Sequence, residues 1–324
     1  MNTSYDVITM GSATIDCFIE TNMAEFGNEV CYPVGAKLNV NNLQFFIGGG
    51  GTNTAVSFAR LGFKTAYLGK IGERFKDDIL SLLKKEKINF LGKISKDMND
   101  YSVILDTKQH NRTILTYKGA SNKLKIKEIN LSKLKTKWLY FTSMMQDSFE
   151  TQIKLSDFAK KNNIGLCFNP SYYQIKEYKK ELYKMIKNTT ILVFNKQEAI
   201  ELVNENSQKN IIDLIKKIYS LGPEIVCITD GVNSTHLYNG SVLYKFEPHK
   251  NIPLIERTGA GDAFASTLVA AIIKNKTLEF ALSIAAINSE SVIQNYGAKN
   301  ILLSWRKCIY ETKKNPIRIL KHII

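Results

Sequence analysis

Long hydrophobic runs are missing from this chain of 324 residues. The longest nearly apolar stretch, Ala263 to Ile273, falls well short of the roughly 20 residues that a membrane-spanning helix needs. No membrane partner is therefore expected. The first residues lack a basic stretch followed by an apolar one and pass straight into Tyr5-Asp6-Val7-Ile8, so no secretory signal is expected either. Cysteine is sparse. Cys17, Cys31, Cys167, Cys227 and Cys308 are odd in number and scattered, with no Cys-x-x-Cys pair. That excludes a disulfide framework and a zinc site and fits a reducing, cytoplasmic setting. The four histidines (His110, His236, His249, His322) show no metal-ligand spacing. Acidic charge is in deficit, with 30 acidic residues against 44 basic ones and a net charge of +14. Such a surplus would suit nucleic acid. Arginine, the better reader of bases and phosphates, supplies only six of the 44, and the lysines are spread along the chain. The charge therefore reads as composition, and no nucleic-acid partner is expected.

What is present fits a globular protein: 44% of residues are hydrophobic and 23% charged, enough to bury a sizeable core. Proline is scarce at six, and no repeat, linker or low-complexity block interrupts the chain, so residues 1–324 are expected to form a single domain. Tyr5 to Ser12 reads as a buried strand. From Trp138 onward strands and helices alternate. Strands are expected at Trp138 to Thr142, Ile164 to Phe168, Ile191 to Phe194 and Ile225 to Thr229. Helices are expected near Gln152 to Lys161, Lys176 to Ile186 and Ile211 to Tyr219. This pattern predicts an α/β fold with a mostly parallel sheet and helices on both faces. Two early segments, about 17–46 and 93–122, break the alternation and predict a small accessory sheet. Within the second, Val103 to Leu105 and Ile114 to Tyr117 flank Lys108-Gln109-His110-Asn111 as a hairpin.

Two glycine sites carry the chemistry. Gly48-Gly49-Gly50-Gly51 leads into Thr52 to Leu61, whose Ala55, Val56, Phe58, Ala59 and Leu61 give an apolar helix face. Thr52 is the expected N-cap and Gly62 the expected C-terminal glycine. Glycines feeding a helix start leave backbone N–H groups open to a ligand. The run is no Walker A loop, because no Gly-Lys-Ser/Thr follows. It is no dinucleotide fingerprint either, because the first strand ends in Gly11-Ser12-Ala13-Thr14-Ile15-Asp16. The second site is Thr258-Gly259-Ala260-Gly261-Asp262-Ala263-Phe264. It places Asp262 in the first turn of a buried helix, beside small residues whose N–H groups can hold an anion. A carboxylate there can take a proton from an attacking hydroxyl while the N–H groups stabilise a transferring phosphoryl.

Together, Gly-Gly-x-Gly-x-Asn-x-Ala with Ala-Arg-Leu-Gly, and Thr-Gly-Ala-Gly-Asp-Ala-Phe some 200 residues later, resemble the signatures of the PfkB (ribokinase-like) carbohydrate kinases. The resemblance covers nearly the whole chain, from Gly11 to Ala298. It implies a three-layer α/β/α sandwich with a small β-sheet lid, and transfer of the ATP γ-phosphoryl to a primary alcohol; the alternative is a non-catalytic ligand-binding relative, against which the intact Asp262 and Asp16 argue. By that resemblance Asp262 is the general base, and Gly259, Ala260 and Gly261 form the anion hole. Asp16, Gly49, Gly50 and Asn53 bind the sugar. Asn195, Thr229, Gly231 and Asn288 line the ATP site, with Asn169-Pro170 at a family position after a strand. Glu198 acts on Mg²⁺ through water, although Asn195 and Glu198 also have the spacing of a plain capping box. Glu256 stands where the family usually has Asp, so the resemblance leaves a monovalent-cation requirement open. The acceptor is open as well. A bare sugar fits Asp16 and Asn53. A nucleoside would suit the lid aromatics Tyr32, Phe45, Phe46, Tyr101 and Tyr117, which could instead fill the lid or a homodimer interface. Arg257 or a lid lysine could serve a phosphorylated sugar.

Overall fold

A computed structural model describes residues 4–21, 23–27, 29–107, 112–204 and 210–324. The chain opens with strands β1 (Tyr5–Met10), β2 (Thr14–Glu20) and β3 (Asn42–Gly48), followed by helix α1 (Gly50–Arg60) and strands β4 (Thr65–Leu68) and β5 (Lys70–Gly72). Helix α2 (Lys76–Lys85) leads to β6 (Asn89–Phe90), β7 (Lys93–Ser95), β8 (Asp100–Asp106) and β9 (Arg112–Tyr117). Strict alternation then begins with β10 (Thr136–Thr142), α3 (Gln146–Lys161), β11 (Gly165–Asn169), α4 (Tyr172–Ile186) and β12 (Ile191–Asn195). Helices α5 (Lys196–Val203) and α6 (Ile211–Tyr219) precede β13 (Ile225–Thr229), β14 (Thr235–Tyr238) and β15 (Val242–Phe246). Helices α7 (Ala260–Ile273), α8 (Leu278–Val292) and α9 (Trp305–Lys314) and strand β16 (Leu320–Ile323) complete the chain.

The main sheet runs β16-β15-β14-β13-β12-β11-β10-β1-β4-β6. It is parallel from β6 to β13 and antiparallel beyond. Its central strands are apolar along their length because both faces are covered. One face packs Met10, Phe141, Phe168 and Phe194 with residues of α3 to α6. The other packs Val7, Tyr140, Cys167 and Val193 with residues of α1, α7 and α8. Helix α7 is apolar nearly all round, which suits a helix buried on the sheet rather than lying at the surface. No helix among the described residues is long and apolar enough to cross a membrane.

A second sheet, β3-β2-β8-β9, stands apart from the first. Period-2 alternation and the strand register sort its side chains onto two faces. Asp16 lies level with Phe46 and Ser102 on one face, whereas Cys17 lies level with Phe45 and Val103 on the other. The second face continues through Leu43, Leu115 and Tyr117, all exposed.

The predicted strand and helix order matches these elements, with shifted ends. Helix α3 starts six residues before the expected Gln152, and α4 starts at Tyr172 rather than Lys176, with a non-helical residue at Tyr178. The N-cap of α1 is Gly49, not Thr52. Thr52 lies inside the first turn, and its hydroxyl donates back to the Gly48 carbonyl at 2.6 Å. Gly49 takes the cap because its φ of +90° turns the chain from β3 into the helix. The hairpin tip expected at 108–111 lies outside the described residues.

Candidate active site

The two glycine sites meet because α1 and α7 lie side by side. Asn53 Nδ2 donates to Asp262 Oδ2 at 2.8 Å, and one turn further along each helix Ser266 Oγ donates to Ser57 Oγ at 2.7 Å. Small residues make this approach feasible. Gly259, the N-cap of α7, has φ +85°, and a Cβ there would stand 2.3 Å from the Cβ of Ala298. Gly261 faces open space. The start of α7 thus lies beside a partly exposed carboxylate, with the Ala260 N–H donating to the Arg257 carbonyl at 3.3 Å. Burial raises the pKa of Asp262, while the Asn53 hydrogen bond and the charge of Lys299 lower it. The result is a carboxylate more basic than an ordinary aspartate yet supported as an anion.

Asp16 reaches the same region from β2. Its carboxyl needs Gly48 beside it, since a Cβ on that residue would fall 1.8 Å from Asp16 Oδ2. Burial pushes Asp16 up to about 6, against the opposing pull of Lys299, a hydrogen bond from Ser102, and Lys118 and Arg112. Asn53 and Asp16 are both buried. Gly49 and Gly50 close the turn between them. Phe46 shares the Asp16 face and meets Phe18 edge-on at 5.5 Å, and Phe18 in turn meets Tyr296 at 5.9 Å. Phe45, Tyr101 and Tyr117 lie on the opposite face of the sheet by register, with Tyr101 packed at 6.3 Å from Phe75. Those three therefore do not face the Asp16 pocket.

Two functional-looking cations escaped the sequence reading. Lys299 is buried, and its ammonium donates to the Ile47 carbonyl and to Asn53 Oδ1. Arg112, the first residue of β9, pairs with the buried Glu256 and donates to Thr258 Oγ1 at 3.0 Å. Glu256 also accepts from the N–H and hydroxyl of Thr258, at 2.8 and 2.9 Å. A monovalent ion on this loop would need the Glu256 charge, which the guanidinium already matches, so the residues present do not fit such an ion. Arginine scarcity was the available signal: in a lysine-rich chain, an Arg marks a place that uses its planar fork.

The remaining predicted residues gather at the carboxyl ends of β12 and β13, where Asn195 and Thr229 are paired in register. Asn195 and Glu198 form a full capping box, each accepting the other's backbone N–H at 2.9 Å. Burial nevertheless pushes Glu198 up to about 7. Thr229 donates to the Phe194 carbonyl at 3.4 Å, and Gly231 is exposed with open space around it. Asn169 at the end of β11 donates to the Val193 carbonyl at 2.7 Å. Asn288 lies inside the fold. It is fully buried, donates to Thr267 Oγ1 at 2.7 Å and accepts from the Leu303 N–H at 2.8 Å. Its side chain ties α8 to α7 and to the loop before α9.

A partly exposed acid at a helix start, bonded to a helix that follows a glycine run beside the carboxyl end of the parallel strand β1, suits a phosphoryl-transfer enzyme. Residues 6–305 match the pfkB family of carbohydrate kinases, and the chain belongs to that family. It is accordingly an ATP-dependent kinase. It is 25% identical over 310 residues to the 5-dehydro-2-deoxygluconokinase of Clostridium perfringens, covering 90% of this chain and 88% of that one. It is 26% identical to the nucleoside kinase of Methanocaldococcus jannaschii, covering 87% and 90%. The ribokinase of Thermotoga maritima has the same fold at a TM-score of 0.81 and 20% identity, over 96% of this chain and 100% of that one.

Proposed function

We propose that the chain transfers the γ-phosphoryl of ATP to a primary hydroxyl of a sugar, with Asp262 as general base. The observation that carries this is the Asn53–Asp262 hydrogen bond, which joins two glycine-lined segments 209 residues apart. Asp16, Asn53, Gly49 and Gly50 hold the acceptor, a carboxylate and an amide being natural partners for vicinal hydroxyls. Asp262 takes the proton of the acceptor hydroxyl. The oxygen attacks the γ-phosphorus as the bond to the bridging oxygen of ADP breaks. The N–H groups of Gly259, Ala260 and Gly261 stabilise the charge on the transferring group. The raised pKa of Asp262 makes it the stronger proton acceptor.

Asn195, Thr229 and Gly231 line the nucleotide end. Glu198, a carboxylate held up by burial, suits a hydrated Mg²⁺ bound through water, and the ion when bound would neutralise phosphate charge. The second sheet serves as a lid on a single kinase unit spanning 1–324. Its outer face of Leu43, Phe45, Leu115 and Tyr117 is apolar and exposed, which supports a homodimer through the lid. ATP as donor and five free thiols suit the cytoplasm.

A second reading, a nucleoside acceptor, is favoured by the aromatic trio Phe18, Phe46 and Tyr296 on the Asp16 side. ADP release with D-ribose, D-fructose, 5-dehydro-2-deoxygluconate, fructose 6-phosphate, adenosine and inosine separates the readings. Highest kcat/KM with a sugar supports the proposal, and highest kcat/KM with a nucleoside replaces it with the second reading. An Asp262→Asn variant that keeps more than a tenth of wild-type turnover would remove the base.

A further inference from the structure

Lys299 occupies a costly position. Its residue is 6% exposed, yet the atoms its ammonium bonds are neutral: the Ile47 carbonyl and the Asn53 amide oxygen. A buried ammonium on neutral partners lowers stability rather than raising it. The fold nevertheless holds it from both ends. Arg60, the last residue of α1, donates to the Lys299 carbonyl at 2.6 Å, and Glu86 in turn braces Arg60. A group kept where it costs stability points to a task in the site.

The donor and acceptor inventory says what that task is. A lysine ammonium can only donate, and an ionised carboxylate can only accept. Asn53 lies between them, with Oδ1 on Lys299 and Nδ2 on Asp262. The reversed amide would set its NH₂ against the ammonium and its oxygen against the carboxylate. We propose that Lys299 is a positioning residue for phosphoryl transfer: through Asn53 it fixes which amide end meets Asp262, and it holds Asp262 in the ionised form that accepts the proton. The inference rests on the reading of Asp262 as general base. The charged groups around the three residues agree with it. Lys299 faces Asp16 from β2 and Asp262 from α7, with Arg60 of α1 and Glu86 behind it. Asp16 further faces Lys118 and Arg112. Among these, Lys299 is the cation that lowers the proton affinity of Asp262. Desolvation brings Lys299 itself down to about 7, against the opposing pull of Asp16 and Asp262.

The test is a carboxyl ¹³C NMR titration of the free full-length protein, with Asp262 assigned by the Asp262→Asn variant. In Lys299→Met the pKa of Asp262 is expected to rise by about one unit or more, a tenfold gain in proton affinity. In Lys299→Arg, which keeps the charge, it should stay within a few tenths. With ATP and D-ribose or D-fructose at pH 6.5, kcat of Lys299→Met should fall at least tenfold, with KM for ATP unchanged and Tm no lower than wild type. An unmoved Asp262 titration in Lys299→Met overturns the proposal. So does an equal shift in Lys299→Arg, or a fall in kcat that merely follows a fall in Tm. If Lys299→Met fails to fold, Lys299→Gln carries the same prediction. If Asp262→Asn stays active, the base reading fails while the titration still reports on Lys299. A dead Asp262→Asn beside an unchanged titration defeats the Lys299 proposal alone.

Discussion

The two parts of the candidate site are built differently. At the proposed acceptor end three charged groups are bonded across elements: Lys299 to β3 and α1, Asp262 to α1, and Arg112 to the loop before α7. At the proposed nucleotide end Asn195 and Glu198 cap their own helix, and the bonds that cross elements are a 3.4 Å pair of Lys196 with Asp230 and side-chain bonds from Asn169 and Thr229 to neighbouring strands. Cross-element bonding freezes geometry where a proton and a phosphoryl group must be placed to a fraction of an ångström. Local capping leaves a surface that a large, flexible, highly charged ligand can organise on arrival.

This contrast predicts unequal sensitivities. The largest effect is expected for Asp262→Asn, a loss of turnover of about a thousandfold, with acceptor binding retained in a thermal-shift assay. Retained turnover would erase the distinction between the two ends. Next comes Arg112→Met. It strands the buried Glu256 without its partner and should lower stability by about 3 kcal/mol. The double variant Arg112→Met/Glu256→Gln should recover most of that loss, as read by urea denaturation. No recovery would mean the pair is not what joins lid and loop.

Glu198→Gln probes the looser end, and activity should fall by about tenfold or less, with a higher magnesium requirement. The sign of its stability effect follows from the raised pKa. Ionised Glu198 costs stability above about pH 7, and the cost fades as pH falls through 7 toward 4.5. The glutamine variant should therefore have the higher Tm at pH 8, with the difference vanishing near pH 4.5. The smallest catalytic effect is expected for Leu115→Glu on the outer lid face, which should change the mass seen by light scattering while leaving kcat within about twofold. An unchanged mass would remove the lid dimer.

The same contrast explains what could be read from the sequence. Local information located the strands of the parallel sheet, the glycine run, and Asp262 in the first turn of its helix, because short-range pattern and capping chemistry decide them. The capping box at Asn195 and Glu198 was legible for the same reason. Lys299 was not, because nothing in Gly297-Ala298-Lys299-Asn300 says that the side chain turns inward against β3 and α1. Arg112 was missed because its partner lies 144 residues later on another element. The internal bonds of Asn288 were not legible because an asparagine on an apolar helix gives no sign that both its ends are used inside the fold. Thr52 looked like a cap because its hydroxyl suits one, but the left-handed glycine before the helix takes that place.

The contact between Asn53 and Asp262 also has a bearing on synthesis. A ribosome must deliver the 209 residues that separate Asn53 from Asp262 before the later helix can dock on the earlier one. Until then the emerging chain holds half a site, unable to consume nucleotide to no purpose.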